Sequence, residues 1–335
     1  MLEPPALAEH DLAAALTTNY GLAVSAICFL PIGADTRAWA YRVESDGAAY
    51  FLKLRQGAPR EAALAVPRFL RNALSLPVVA PLPARSGALW SRLDEYALAV
   101  YPFVEGRTAT AAGLSDAQWV EFGAALRQVH GADLPPALAA LLRRETFVPE
   151  WAAVAADVDT CIGDRDFPDP DQQALAVFWR AHRPEIQTVL ARAEALGQRV
   201  RAAAPPLVLC HADAHTWNVL VDPEGRWWLV DWDEVVLAPK ERDLMFVVDG
   251  IGANLVTPRQ SELFLQGYGP TPIDPVALAF YRYAWAVGDI GAYGERVFLL
   301  PVTGPATRRA AVEGLIGLFA PGEIVSIALT SEGAA

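Results

Sequence analysis

The sequence predicts an α+β protein with a small β-rich part first and a larger, mostly helical part after it. Two observations carry this. From Leu22 to about Val104 short β-rich runs are separated by Gly, Ser, Asp and Pro turns, whereas after "EGRTATAAGLSD", which ends at Asp116, the apolar spacing becomes helical. The helical part is interrupted by one β island, "PLVLC", "NVLVD" and "RWWLVDW".

Taken in order, residues 7–19 have an amphipathic helical pattern. The runs "LAVSAICFLPI", "AWAYRVES", "AAYFLKLR", "ALWSRL" and "YALAVYPFV" then read as strands. Between the third and fourth, "APREAALAVPRFLRNAL" reads as a helix starting at Pro59, where a first-turn proline is tolerated, and kinked or split at Pro67. A hinge at Tyr101 to Gly106 separates an N-terminal part, 1–103, from a C-terminal part, 104–335. Ser115 and Asp116 cap the helix "AQWVEFGAALRQVH". Further helical patterns cover about 170–198, 240–249, 273–298 and 304–328. The strands "NVLVD" and "RWWLVDW" are joined by the Pro-Glu-Gly turn at 223–225.

With 335 residues, 53% of them hydrophobic, the chain can bury one large core or two smaller ones. A net charge of -12 disfavours a broad surface for nucleic acid or anionic membrane, which select clustered Lys and Arg, and tolerates cationic small molecules better. The three cysteines are scattered and odd in number, which fits a reducing compartment. The N-terminus carries acids where a signal peptide needs positive charge, and no run approaches the ~18 apolar residues of a membrane span. A cytoplasmic globular protein is expected, its oligomeric state open.

The chemistry is concentrated between Leu209 and Glu234, "LCHADAHTWNVLVDPEGRWWLVDWDE". One reading makes His211, Asp213 and His215 zinc ligands, but the remaining histidines, His10, His130 and His182, lie in ordinary helical contexts. The other reading is phosphoryl transfer, which needs a carboxylate beside the attacking hydroxyl, oxygen ligands for Mg²⁺ and charge to neutralise phosphates. His211-Ala-Asp213 followed by Asn218 has the spacing H-x-D-x-x-x-x-N, and a hairpin then returns Asp231 at the end of an apolar strand. On this reading Asn218 and Asp231 face a common ion with Asp213 alongside.

This segment resembles the catalytic loop and metal-binding segment of the aminoglycoside phosphotransferase family, which has the protein-kinase fold. "CHADAHTWNVLV" with "DWDEVVLAPKERDLMF" is similar to an aminocyclitol-modifying branch of it, and "YFLKLR", "AVYPFV" and "DIGAYG" extend the likeness along nearly the whole chain. The resemblance implies a two-lobe protein-kinase-like fold: a small antiparallel β-rich N-lobe that binds nucleotide and a larger helical C-lobe. It further implies an ATP- and Mg²⁺-dependent O-phosphotransferase acting on a cationic, hydroxylated aminocyclitol or aminoglycoside antibiotic, spectinomycin before others. Asp213 would be the catalytic base, Asn218 and Asp231 the metal ligands, and Lys53 the contact to the α and β phosphates.

The acidic helix partner of that lysine would be Glu61, the first acid of the helix that follows. "LPIGADTRAW", with Gly33 as its one glycine, would cover the nucleotide through backbone amides, and Tyr101 and Phe103 of "YPFVEG" would meet adenine. Asp243 would tie down the catalytic loop, and His211 would pack beneath it. His215 faces the acceptor on this reading. Trp285, Asp289 and Tyr293, at helical spacing, would help clasp it. Asp233 and Glu234 are further acids beside the site, either of which would assist a second metal or face the substrate. Three alternatives remain: a metabolic kinase acting on choline, homoserine or a sugar; a nucleotide-binding pseudokinase; and the zinc hydrolase.

Overall fold

In the computed structural model, residues 2–33, 35–248, 250–252, 255–300 and 303–331 are described. Their contacts form two compact units: Met1–Gln118, Gly131–Arg143 and Asp213–Val235 make the first, and Trp119–His130, Arg144–Ala212 and Val236–Ala335 the second. This grouping does not cut the chain at residues 103 and 104, because it follows contacts between segments distant in sequence.

The first unit begins with helix α1 (Glu9–Tyr20), whose Leu12 and Leu16 are fully buried. Five strands follow, β1 (Val24–Leu30), β2 (Ala38–Ser45), β3 (Ala48–Gln56), β4 (Ser91–Leu93) and β5 (Tyr96–Pro102). They form an antiparallel sheet in the order β1-β2-β3-β5-β4. The β2–β3 turn is the pair Asp46-Gly47, both at positive φ (51° and 76°), as a two-residue hairpin turn with right-handed twist requires. Side chains alternate across a strand, so Leu52 and Leu54 enter a core with Tyr41, Val43, Leu98 and Val100. Each buried leucine is worth about 1.5–3 kcal/mol. The same alternation turns Phe51, Lys53 and Arg55 to the opposite face.

Helix α2 (Glu61–Leu74) starts two residues after Pro59 and runs through Pro67 as one helix, so of the expected kink or split the split does not occur. Pro67 costs one intrahelical hydrogen bond, but it is itself buried in the apolar stripe of Ala62, Ala63, Val66 and Leu70. Burial of that stripe offsets the loss. Beyond α2, Val79 donates to Leu229 O and Leu229 donates to Pro77 O, which joins this segment to the β island.

The island itself is a second antiparallel sheet of β6 (Arg107–Thr108), β9 (Val219–Val221) and β10 (Trp227–Leu229), in the order β10-β9-β6. The turn at 223–225 is closed by Asp222, whose carboxylate accepts from Arg226 N (2.8 Å), Arg226 Nε (2.7 Å) and Trp228 Nε1 (3.3 Å). Gly106 enters β6 so close to β9 that a Cβ there would lie 2.4 Å from Val221 O. Two short helices, α3 (Ala109–Ala112) and α5 (Pro136–Ala139), and strand β7 (Arg143–Arg144) at the unit boundary complete this part.

The second unit contains most of α4 (Asp116–His130), then α6 (Ala152–Ile162), α7 (Pro170–Ala203), α9 (Pro258–Tyr268) and α10 (Pro275–Phe298). Helix α10 is central and packs on α6 and α7. Sharp N-terminal caps set α7, α9 and α10: Asp169 and Asp274 each accept two backbone N–H groups ahead of a first-turn proline, and Thr257 with Gln260 forms a capping box. The helix expected over 304–328 is two, α11 (Pro305–Gly317) and α12 (Ile324–Thr330), because Pro321-Gly322 cannot continue it. That expected over 240–249 is only α8 (Glu241–Leu244), with Asp249 outside the described residues. Strands β8 (Val208–Cys210) and β11 (Val236–Ala238) pair antiparallel beside them.

Candidate active site

Strand β8 leads into the catalytic-loop motif, and in the second unit its exit is held by Asp243. The carboxylate of Asp243, fully buried on α8, accepts from His211 N at 2.9 Å and from Ala212 N at 2.6 Å. Ala212 has φ 69°, a left-handed conformation that costs a non-glycine residue about 1–3 kcal/mol. The two hydrogen bonds retain it there. His130 Nε2 lies 3.0 Å from Asp243 Oδ2, and its Nδ1 is 2.6 Å from Tyr268 Oη. Burial alone would raise the Asp243 pKa, but hydrogen bonding to His130 and the loop amides brings it below the usual carboxylate range. His211 is fully buried.

In the first unit, Asp213 is gripped on both carboxylate oxygens. Asn218 Nδ2 donates to Oδ2 at 2.7 Å and to the Asp213 carbonyl at 2.9 Å, and His215 Nε2 lies 3.0 Å from Oδ1. A 3₁₀ turn over Thr216–Asn218 folds Asn218 back, and Thr216 Oγ1, 2.7 Å from Thr110 Oγ1, anchors it. With Nδ2 turned to Asp213, Asn218 has Oδ1 as the oxygen it can present to a cation. His215 thus meets the catalytic-loop aspartate directly. Burial lowers the pKa of its imidazole, and the Asp213 carboxylate more than offsets that, leaving it above the ordinary value.

Asn218 and Asp231 occupy neighbouring ends of the hairpin strands, since Val230 N donates to Asn218 O at 2.9 Å. Asp231 has φ 60°, again left-handed. Its Oδ1 lies 2.9 Å from Lys53 Nζ, while Asp233 Oδ2 lies 2.8 Å from the same ammonium. Burial would lower the Lys53 pKa, but the two carboxylates hold it well above the ordinary lysine value. Arg55, two residues along the same face, pairs with Asp35 and lies 3.7 Å from Asp233. Lys53, Arg55, Arg60, Ala63, Leu64, Tyr101 and Asp233 line one pocket, with Ala97 and Ala99. In the register Ala99 sits opposite Lys53 and Ala97 opposite Arg55, and these small side chains leave the space. Glu234 is clamped by Arg60 at 2.6 Å and Arg143 at 3.1 Å.

The expected Lys53–Glu61 pair does not form: no ion pair joins them among the described residues, and Glu61 is exposed at the first position of α2. The helix turns Ala63 and Leu64 to the pocket instead. Gly33, at φ 88°, is exposed in a loop whose next residue, Ala34, lies outside the described residues. Tyr101 faces the pocket and its ring meets Phe51 at 6.2 Å. The Phe103 N–H donates to Ala49 O at 3.2 Å, and the Arg42 guanidinium sits 4.4 Å over its ring.

Trp285, Asp289 and Tyr293 all lie on α10 in the second unit. There Trp285 packs edge-on against Phe246 and lies 5.7 Å from Arg242, and Tyr293 abuts Gly314 of α11. Among the charged groups at the pocket, Arg55 and Arg60 have no role in the sequence reading, and Asp233 has only that of assisting a second metal or facing the substrate. The signal for Arg55 and Asp233 is the two-residue spacing, from Lys53 and from Asp231 respectively.

The zinc reading finds no support in the donors. Among the described residues, the His, Cys and acidic side chains grouped closely enough for one ion are His130, Cys210 and Asp243. Cys210 Sγ lies 3.5 Å from the carbonyls of Ala238 and Pro239, and burial pushes its pKa up.

A kinase-like fold with this site defines a small-molecule phosphotransferase. The chain belongs to the phosphotransferase enzyme family known as APH, whose sequence pattern matches residues 27–281. It is similar to a solved spectinomycin phosphotransferase, APH(9)-Ia, in complex with ADP and spectinomycin. Identity is 30%, 98% of this chain and 99% of that one are covered, and the TM-score is 0.87. Protein StrN of Streptomyces griseus is 27% identical over 299 residues, 86% of this chain and 84% of its own. A microcompartment-associated aminopropanol kinase, 16% identical with a TM-score of 0.62 over 97% of this chain and 98% of its own, shares the fold.

Proposed function

We propose that the protein transfers the γ-phosphoryl group of ATP to a hydroxyl of an aminocyclitol, with spectinomycin the first acceptor to test. The observation that carries this reading is Asp213, held between Asn218 and His215 beside the hairpin that bears Asp231 and, through it, Lys53. The likeness to a spectinomycin phosphotransferase supports the choice of acceptor.

On this reading Asp213 orients the acceptor hydroxyl and takes its proton, with His215 beside it. Lys53 bears on the nucleotide phosphates. Asn218 Oδ1 and the Asp231 carboxylate are hard oxygen donors suited to Mg²⁺, which would supply charge neutralisation on the phosphates when bound. The backbone of the Tyr101–Phe103 segment and the Gly33 loop meet the base and phosphates in this proposal, while Trp285, Asp289 and Tyr293 meet the acceptor. Residues 1–103 then act as the nucleotide lobe and 104–335 as the catalytic and acceptor lobe.

Cytoplasmic antibiotic resistance would be the outcome. Three free cysteines fit a reducing compartment, and no helix among the described residues is long and apolar enough to cross a membrane. Incubation with ATP, Mg²⁺ and spectinomycin should yield ADP and a phosphorylated drug in equal amounts. Turnover of choline, homoserine or a sugar, with none of aminocyclitols, would replace this acceptor by a metabolic one.

A further inference from the structure

We infer that Asp233 is the positioning residue for Lys53, doing from the hairpin what an acid on α2 does not do here. This rests on the reading that Lys53 meets nucleotide phosphates. A lysine has four rotatable bonds, and its ammonium is useful to a phosphate only if something holds it in one place before the phosphate arrives. Helix α2 offers no such group: Ala63 and Leu64 face the pocket, and Glu61 is exposed and makes no ion pair with Lys53 among the described residues. Two carboxylates reach Nζ instead, Asp231 at 2.9 Å and Asp233 at 2.8 Å.

The two are not equivalent. Asp231 lies at the hairpin end beside Asn218, where its oxygens are called on by a cation, and a carboxylate engaged by a cation is a weaker counter-ion for an ammonium. Asp233 carries no such second duty. Arg55, on the face that carries Lys53, lies 3.7 Å from the same Asp233 oxygen, Oδ2, and is in turn held by Asp35. The next residue, Glu234, is pinned by Arg60 and Arg143, so the backbone bearing Asp233 is itself restrained. Asp233 therefore remains on Lys53 when Asp231 turns to its ligand, and it sets where the ammonium sits.

The experiment is a double-mutant cycle with Asp233→Asn and Lys53→Met, read by titration with a fluorescent ADP derivative in the presence of Mg²⁺ and by steady-state kinetics. Asp233→Asn should weaken nucleotide binding about tenfold and raise the KM for ATP while the acceptor KM stays put. In the Lys53→Met background the same change should add almost nothing, because a positioning residue has no effect once its client is gone. Asp233→Glu should recover part of the loss, Glu61→Gln should leave both readouts unchanged, and thermal unfolding should report that each variant is folded. Tighter ADP binding by Asp233→Asn would make Asp233 a competitor of the phosphate and overturn the proposal, as would additive losses in the cycle or an equal loss in Glu61→Gln. A wild-type chain that binds nucleotide with this coupling but phosphorylates no aminocyclitol would sink the acceptor assignment alone, and one that binds no nucleotide would overturn both.

Discussion

The backbone N–H of Ala212 donates to Asp243 Oδ1 at 2.6 Å, and this hydrogen bond retains a left-handed alanine immediately before Asp213. Removing the carboxylate leaves two buried amides and His130 without their acceptor. Asp243→Ala should therefore destabilise the protein by about 3 kcal/mol, measured by denaturant unfolding. The Asp243 pKa is depressed in the folded protein, so its contribution is complete above the ordinary value of 3.8 and is lost as pH falls through the lower folded value. Asp243→Asn should flatten that acid limb of a stability–pH curve.

Asp213 and Asp231 should separate chemistry from binding. Asp213→Ala should lower kcat by about 10²–10⁴ with ADP binding little changed, since only the proton acceptor is lost. Asp231→Ala should also weaken binding of the Mg²⁺-nucleotide, seen as a rightward shift of the Mg²⁺ titration. Equal unfolding of both variants would reassign them to structure.

His215 lies 3.0 Å from Asp213, and its pKa is raised although burial works against it. The protonated pair stabilises the fold fully below 6.5, the ordinary histidine value, and that contribution is lost as pH rises through the folded value. His215→Gln should erase this slope of Tm against pH above 6.5. A slope identical to the wild type would assign it to other groups.

Gly106 packs tightly against the hairpin strand β9, with a Cβ there placed 2.4 Å from Val221 O. A backbone oxygen cannot swing away as a side chain can. Gly106→Ala should cost about 1–3 kcal/mol of stability and depress activity by displacing β9, which runs on from Asn218. Unchanged unfolding would show that the strands part without penalty.

The α+β kinase-like fold was legible because each half declares its period: alternating residues in "YFLKL" and helical spacing in the runs that became α7 and α10. The motif at Asp213 and Asn218 was legible for a related reason. Five residues joined by a 3₁₀ turn cannot go far apart, and the Pro-Glu-Gly turn fixes where the hairpin returns. Pro67 misled because a local rule about helices yielded to burial of the stripe around it, and the run 304–328 misled because one apolar pattern spans two helices.

The sequence by itself determined the elements and the short-range motif, since periodicity, caps and turns act over a few residues. Only the tertiary structure decided what surrounds Lys53, because its partners Asp231 and Asp233 lie 178 and 180 residues away and are brought there by chain pairing. Glu61, the only acid of the helix that follows Lys53, was the natural partner on paper. A charge is satisfied by whichever carboxylate the packed fold brings within about 3 Å, and distance along the chain has no part in that.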